Sequence, residues 1–148
     1  ELKVYMKEVP KVDKKKDKVK KKPKLKSNMS IKPPIKVTRD MFSEYRFDEY
    51  DLFMGRRDVG ADLKEEFVTY LNVDNIYLHN YINKSKEDID IIKRQYEVAA
   101  TLLSYVLSVN YDKKPQLSDL QSLPEYTQSI SRGISPVFTQ LIRDWGNI

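Results

Sequence analysis

The stretch SKEDIDIIKRQYEVAATLLSYVLSV, residues 85–109, decides the reading of the fold. Ser85-Lys86-Glu87-Asp88 has the form of a capping box with Asp in place of Glu, a helix start that satisfies otherwise unpartnered backbone amides. Glu87, Asp88 and Asp90 then set negative charge against the positive end of the helix dipole. Ile89, Ile92, Tyr96, Ala99, Leu103 and Val106 recur at spacings of three and four, and a second line, Ile91, Val98, Leu102, Tyr105 and Val109, runs beside them. That period is the signature of an amphipathic helix. From Val98 onward the segment is apolar nearly all round, which predicts a central buried helix.

Toward the C-terminus, residues 110–115 read as a loop. Ser118-Asp119-Leu120-Gln121 reads as another capping-box start, closed by Pro124, and a helix from about Pro124 ends near Gly133. Ser135-Pro136 opens a last helix, with serine as cap and proline in the first turn; it presents Val137, Phe138, Leu141, Ile142 and Trp145 and stops at Gly146. Toward the N-terminus, about Asn75–Ile82 reads as a short helix and about Ala61–Asn72 as another, with Leu63, Phe67, Tyr70 and Leu71 on one face. Thr38 reads as the N-cap of a helix to about Met54, which Gly55 ends before a turn at 56–60. The expected fold is all-α: a small bundle of five or six helices over residues 38–148, behind an extended Lys/Pro-rich arm at 1–37.

The arm lacks helical periodicity, and Pro10, Pro23, Pro33 and Pro34 interrupt any helix because proline has no amide donor and clashes with the preceding turn. It reads as extended and disordered when free, with residues 31–37 suited to lie as a strap along the body or a partner. Residues 1–37 carry 14 Lys and no Arg against four acids, a formal +10, while the other 111 residues carry a formal −5. Lys11–Lys26 alone holds ten lysines in sixteen residues. This is the only strongly positive region of the chain. It names a class of partner, a polyanion.

Composition closes several other routes. There is no cysteine, which removes disulfides and thiolate metal sites. The longest apolar run, Val98–Val109, is twelve residues, short of the roughly 18 needed to span a bilayer as a helix. The N-terminus has no apolar segment of signal-peptide type; opening on Glu1, the chain reads as processed or trimmed. The expectation is an intracellular protein, cytoplasmic or nuclear, or one packed inside a virus particle. The single histidine, His79, has no catalytic motif around it, and the acids Glu87, Asp88 and Asp90, or Asp48, Glu49 and Asp51, read as helix-start charges before they read as Mg²⁺ ligands. The four glycines stand alone, so no phosphate-binding loop is present. No catalytic residue, metal site, cofactor, small-molecule substrate or membrane contact is expected, and no enzyme.

The candidate nucleic-acid contacts are Lys14, Lys15, Lys16, Lys18, Lys20, Lys21, Lys22, Lys24 and Lys26. Lysine ammoniums displace counterions from phosphate with little sequence preference, and the arm has neither arginine for base reading nor an aromatic between Lys7 and Phe42 for stacking. Lys20–Lys26 also resembles a monopartite nuclear-localisation signal. A candidate protein interface comprises Phe42, Tyr45, Phe47, Tyr50 and Phe53, from an aromatic-rich segment, with Phe138 and Trp145 of the last helix; such rings are enriched at interface cores. The leading expectation is a non-enzymatic component of a nucleoprotein assembly: a virion, a ribosome-like particle, or a replication or transcription complex. The competing class is an adaptor or scaffold whose arm docks on acidic protein. A third is a helix-turn-helix regulator, from Gln128–Pro136 with Gly133 in the turn and Thr139, Gln140 and Arg143 facing a groove.

Overall fold

The computed structural model describes residues 31–146. It contains both strands and helices: β1 (Ile35–Val37), a 3₁₀ turn (Arg39–Met41), a one-turn helix α1 (Phe42–Tyr45), β2 (Phe53–Val59), β3 (Glu65–Asn72), α2 (Ile76–Lys84), α3 (Ile89–Asp112), α4 (Pro115–Leu120) and α5 (Leu123–Gly146). The sheet order is β1-β3-β2, with β1 parallel and β2 antiparallel to β3. The expected all-α bundle is therefore wrong: the segments read as helices at 38–54 and 61–72 form a hairpin and the loop before it.

The physical reason is a period of two. Phe53, Gly55 and Arg57 lie opposite Leu71, Thr69 and Phe67, while Met54 and Arg56 lie opposite Tyr70 and Val68 on the other face. Aromatic and β-branched residues in Phe67–Leu71 fit a pleated surface. The hairpin closes where the Gly60 amide donates to the Lys64 carbonyl at 2.9 Å and Leu63 takes a left-handed conformation, φ 65°. The helix expected from Thr38 survives only as the 3₁₀ turn and α1, which ends at Arg46 in the left-handed region. Asp51 Oδ2 then accepts from the Asp48 amide at 2.7 Å and Asp48 Oδ1 from the Tyr50 amide at 2.9 Å. Aspartates that bond nearby amides in this way compete with helix.

At the other end two expected helices are one. α5 runs unbroken through Gly133 and Pro136. Its start is a reciprocal capping box: the Ser122 amide donates to Glu125 Oε1 at 2.9 Å and the Glu125 amide to Ser122 Oγ at 3.3 Å. There is no turn at Gly133, so the geometry a helix-turn-helix requires is absent. α3 is capped by Asp88 rather than Ser85, and α4 begins at Pro115 rather than Ser118.

One core lies between the sheet and the long helices: Leu52, Phe53, Leu71, Leu78, Ile92, Tyr96, Ala100, Phe138 and Ile142. A smaller one on the opposite sheet face joins Val37, Phe47, Met54 and Tyr70 beneath Met41, Phe42 and Tyr45. α3 is not buried all round. It turns Ile92, Tyr96, Ala100, Ser104 and Ser108 inward, and leaves Ile91, Val98, Leu102 and Val106 between 48% and 58% exposed.

The contact between β2 and α5 is made by small polar side chains. Thr127 Oγ1 accepts from the Gly55 amide at 2.8 Å, and Ser131 Oγ both accepts from the Phe53 amide (3.2 Å) and donates to its carbonyl (2.9 Å). These are the backbone groups of β2 that point away from β3. A helix thus supplies hydroxyls where a fourth strand would supply amides and carbonyls, and closes that edge of the sheet. At the other edge, Lys36 of β1 pairs with Glu97 of α3 at 3.4 Å and Lys32 with Glu66 at 2.6 Å.

Candidate nucleic-acid and protein interface

The nine candidate lysines, Lys14 to Lys26, lie outside the described residues, as does the side chain of Trp145. The other candidate interface residues are divided by burial. Phe53, Phe47 and Phe138 are 0%, 7% and 5% exposed and belong to the cores; they are corrected here from interface to interior, because meeting a partner would require opening the fold. Phe42 and Tyr45 are partly buried against the smaller core. Tyr50 alone of the described set is freely presented, at 43% exposure.

Tyr50 leads to a groove that sequence reasoning missed. Asn75 caps α2 by accepting from the Leu78 amide at 2.9 Å, and its Nδ2 donates to the Asp51 carbonyl and, at 2.8 Å, to Ser135 Oγ of α5. That buried amide fixes α2 beside α5. The two helices enclose an open groove of about 440 Å³, lined by Tyr77, Tyr81 and Lys84 on one side and Pro136, Gln140 and Arg143 on the other. Glu87 is its acid, and burial followed by Glu87 raises the Tyr81 hydroxyl above its ordinary value. Tyr77 and Tyr50 are 6.1 Å apart, and the Arg132 guanidinium lies 5.7 Å from the Tyr50 ring. Aromatic and cationic groups therefore run along one side of the molecule. The signal was available: Tyr77, Tyr81 and Lys84, and Arg132, Pro136, Gln140 and Arg143, each follow helical spacing, but the second set shares a face only if α5 continues through Gly133. Thr139, expected on a reading helix, is buried at 8% exposure.

The neighbouring hollow is of opposite character. Arg132 Nη1 donates to both Asp48 carboxylate oxygens at 2.8 Å and to Asp51 Oδ1 at 3.3 Å. Burial pushes the Asp51 carboxyl up, against the Asp48 amide, Gln128 and Arg132, which pull it down. Burial also acts to raise Asp48, but its bond to Arg132 and the Tyr50 amide outweigh this and hold it below the ordinary carboxylate range. Arg132 is thus committed to carboxylates, and the other cation lining this hollow is Arg46, with Glu125 on the same lining. On the far sheet face Arg56 bonds Asp58 at 2.7 Å and the Tyr70 hydroxyl at 2.7 Å. Burial, then the Asp58 bond, pushes Tyr70 up to about 12, so it is a neutral donor at physiological pH.

His79 is exposed, with Nε2 3.2 Å from Asp74 Oδ1 and 3.3 Å from the Val73 carbonyl. The other Asp74 oxygen accepts from the Arg39 amide at 2.7 Å. The pair ties the turn before α2 to the turn after β1. The cavity beside it, about 300 Å³, is lined by Leu71, Leu78, Ile82 and Tyr96 with Lys36, Lys93 and Glu97 at its rim. The one hydroxyl of its lining, that of buried Tyr96, donates to the Asn72 carbonyl at 2.6 Å, and the lining holds no Ser, Thr or Cys to pair with His79 as nucleophile. Among the described residues no group of three or more His, Cys, Asp or Glu is placed to hold a metal ion, and no helix is long and apolar enough to cross a membrane. No family model, curated protein or solved structure matches the chain.

Proposed function

We propose that this chain is a non-enzymatic structural or accessory component of a nucleoprotein assembly, in the cytoplasm, the nucleus or a virus particle. Lys14, Lys15, Lys16, Lys18, Lys20, Lys21, Lys22, Lys24 and Lys26 bind nucleic acid through its phosphates, and the folded body docks on protein subunits. The observation that carries this reading is the charge partition: 14 lysines and no arginine in the first 37 residues, ahead of a body of formal charge −5. Ammonium point charges suit phosphate, not base edges. The Tyr77–Tyr81–Lys84–Arg143 groove, taken on the body alone, supports it as a place where a single strand meets rings and cations.

The test is a salt series with non-specific single-stranded RNA and duplex DNA, on the full chain and on a full-length variant with those nine lysines changed to glutamine. Nine phosphate contacts predict a log–log slope of about −6 on single strands and about −8 on duplex. Loss of both affinity and slope in the variant is expected; unchanged affinity refutes the reading. If neither nucleic acid binds and polyglutamate does, with the same dependence on the nine lysines, the arm serves an adaptor that grips acidic protein.

A further inference from the structure

We infer that the groove between α2 and α5 holds a short unpaired stretch of nucleic acid, with Tyr77 and Tyr81 stacking on its bases and Lys84 and Arg143 meeting its phosphates. This site rests on the nucleoprotein reading proposed above and adds to it a contact on the body that separates single strands from duplex. Counted from the Asn75–Ser135 bond, each wall meets its ring first and its cation last: Tyr77, Tyr81 and Lys84 on α2, and Pro136, Gln140 and Arg143 on α5. The two cations therefore share one end. From Tyr77 to Lys84 the α2 wall is about 10 Å long, the rise of about three stacked nucleotides. Tyr50, 43% exposed and 6.1 Å from Tyr77, extends the aromatic platform beyond the other end.

The chemistry of the walls chooses the occupant. Lys84 and Arg143 stand against one acid of the lining, Glu87, so the groove carries a formal +1 on a body of formal −5. Glu87 accepts from the Tyr81 hydroxyl at 3.4 Å, and Arg143 Nε reaches Asp144 at 3.4 Å, which uses one of the five N–H donors of the guanidinium. Asn80 of α2 and Gln140 of α5, both exposed, add an amide from each wall. Each amide presents a donor beside an acceptor, the pattern that meets a base edge. An acidic peptide would satisfy the cations but would bring no flat faces to the two rings. A duplex would bring phosphates, but its bases are stacked on one another and their faces are hidden. Only an unpaired strand offers phosphates, base faces and base edges together. At about 440 Å³ the groove has the size of a ligand site rather than of a duplex track.

The test is fluorescence anisotropy on the full-length chain, with labelled oligo(dT) of about ten nucleotides and a hairpin duplex of the same phosphate count. It is run on the parent and on the variant with the nine arm lysines changed to glutamine. Tyr77→Ala with Tyr81→Ala should weaken oligo(dT) binding about fivefold or more for each ring and leave the hairpin unchanged. Tyr77→Phe with Tyr81→Phe keeps both rings and should keep the affinity, which a loss of hydroxyl contacts would not. Lys84→Gln with Arg143→Gln, both exposed, should reduce the log–log salt slope on oligo(dT) by about 1.4 without lowering Tm. Equal losses on oligo(dT) and hairpin, or no loss from either pair of changes, would overturn the groove site and leave the arm reading standing. Oligo(dT) affinity that follows the groove residues but not the nine lysines would overturn the arm reading and leave the groove site. Displacement of oligo(dT) by polyglutamate, with polyglutamate affinity equally dependent on Tyr77 and Tyr81, would assign the groove to acidic protein instead.

Discussion

A methyl group at position 55 would sit 2.6 Å from the Phe67 ring and 3.2 Å from Ser104 Oγ, whereas one at position 133 would meet nothing within 4 Å. The two glycines therefore answer the same substitution with opposite signs. Gly55→Ala should cost about 1–3 kcal/mol through overpacking, and much less in a Phe67→Leu background, since the two sites are in contact; urea midpoints of the single and double variants check this. Gly133→Ala should stabilise by about 1 kcal/mol, because Gly133 lies in mid-helix with open space on its Cβ side. From sequence both glycines read as element ends, and neither is one. Glycine's meaning at Gly55 is set by rings 12 residues away, and no local pattern carries that. Asp51 was legible as an acid but not as a buried one. Its folded value is raised, so the stability it lends is full below the ordinary carboxylate value of 3.8 and falls as pH rises through the folded value. Asp51→Asn should flatten that part of the profile, seen as the difference between variant and parent urea midpoints from about pH 3 to pH 7.

At the level of elements, α5 acts as a surrogate strand. Thr127→Val leaves the buried Gly55 amide without its acceptor, and Ser131→Ala does the same to the Phe53 amide and carbonyl; each should cost about 1–3 kcal/mol. Amide exchange would locate the damage: Phe53 and Gly55 should lose protection while Met54 and Arg56, bonded to β3, keep more of theirs. The hydroxyls at 127, 131 and 135 recur every four residues, which is visible in the sequence as a polar stripe. A polar stripe on a helix ordinarily faces water, so the pattern alone points the wrong way. The helices themselves were largely legible. α2 and α3 have strong periods and caps, and the error at α3 was to bury it nearly all round, when Ile91, Val98 and Leu102 of its second apolar line are half exposed. The hairpin was lost because Phe42–Met54 is aromatic enough to imitate a helix stripe and because Phe67, Tyr70 and Leu71 of β3 also fit a helical spacing. The groove between α2 and α5 was lost with the wrong break at Gly133, which separated Arg132 from Gln140 and Arg143.

Across the whole molecule the chain divides its charge, and the sheet shows where the division begins to be neutralised. Lys32 and Lys36 are paired with Glu66 and Glu97, partly exposed pairs worth about 0–1 kcal/mol each. They should be removable, as Lys32→Gln and Lys36→Gln, with little loss of Tm and little change in the salt slope of nucleic-acid binding. The same removal spread over Lys14–Lys26 should flatten that slope. Between those two sets of lysines runs β1, only three residues long and joined to β3 by a parallel ladder. A force directed along that strand and applied to the chain ahead of Lys32 reaches the body through it. It loads the few bonds of the ladder in shear rather than one after another. If the ladder fails, β1 leaves while β2, β3 and α5 remain held by the Thr127 and Ser131 hydroxyls. The first mechanical event is then the release of about six residues of slack, roughly 20 Å of extended chain, with the helical core still folded behind it.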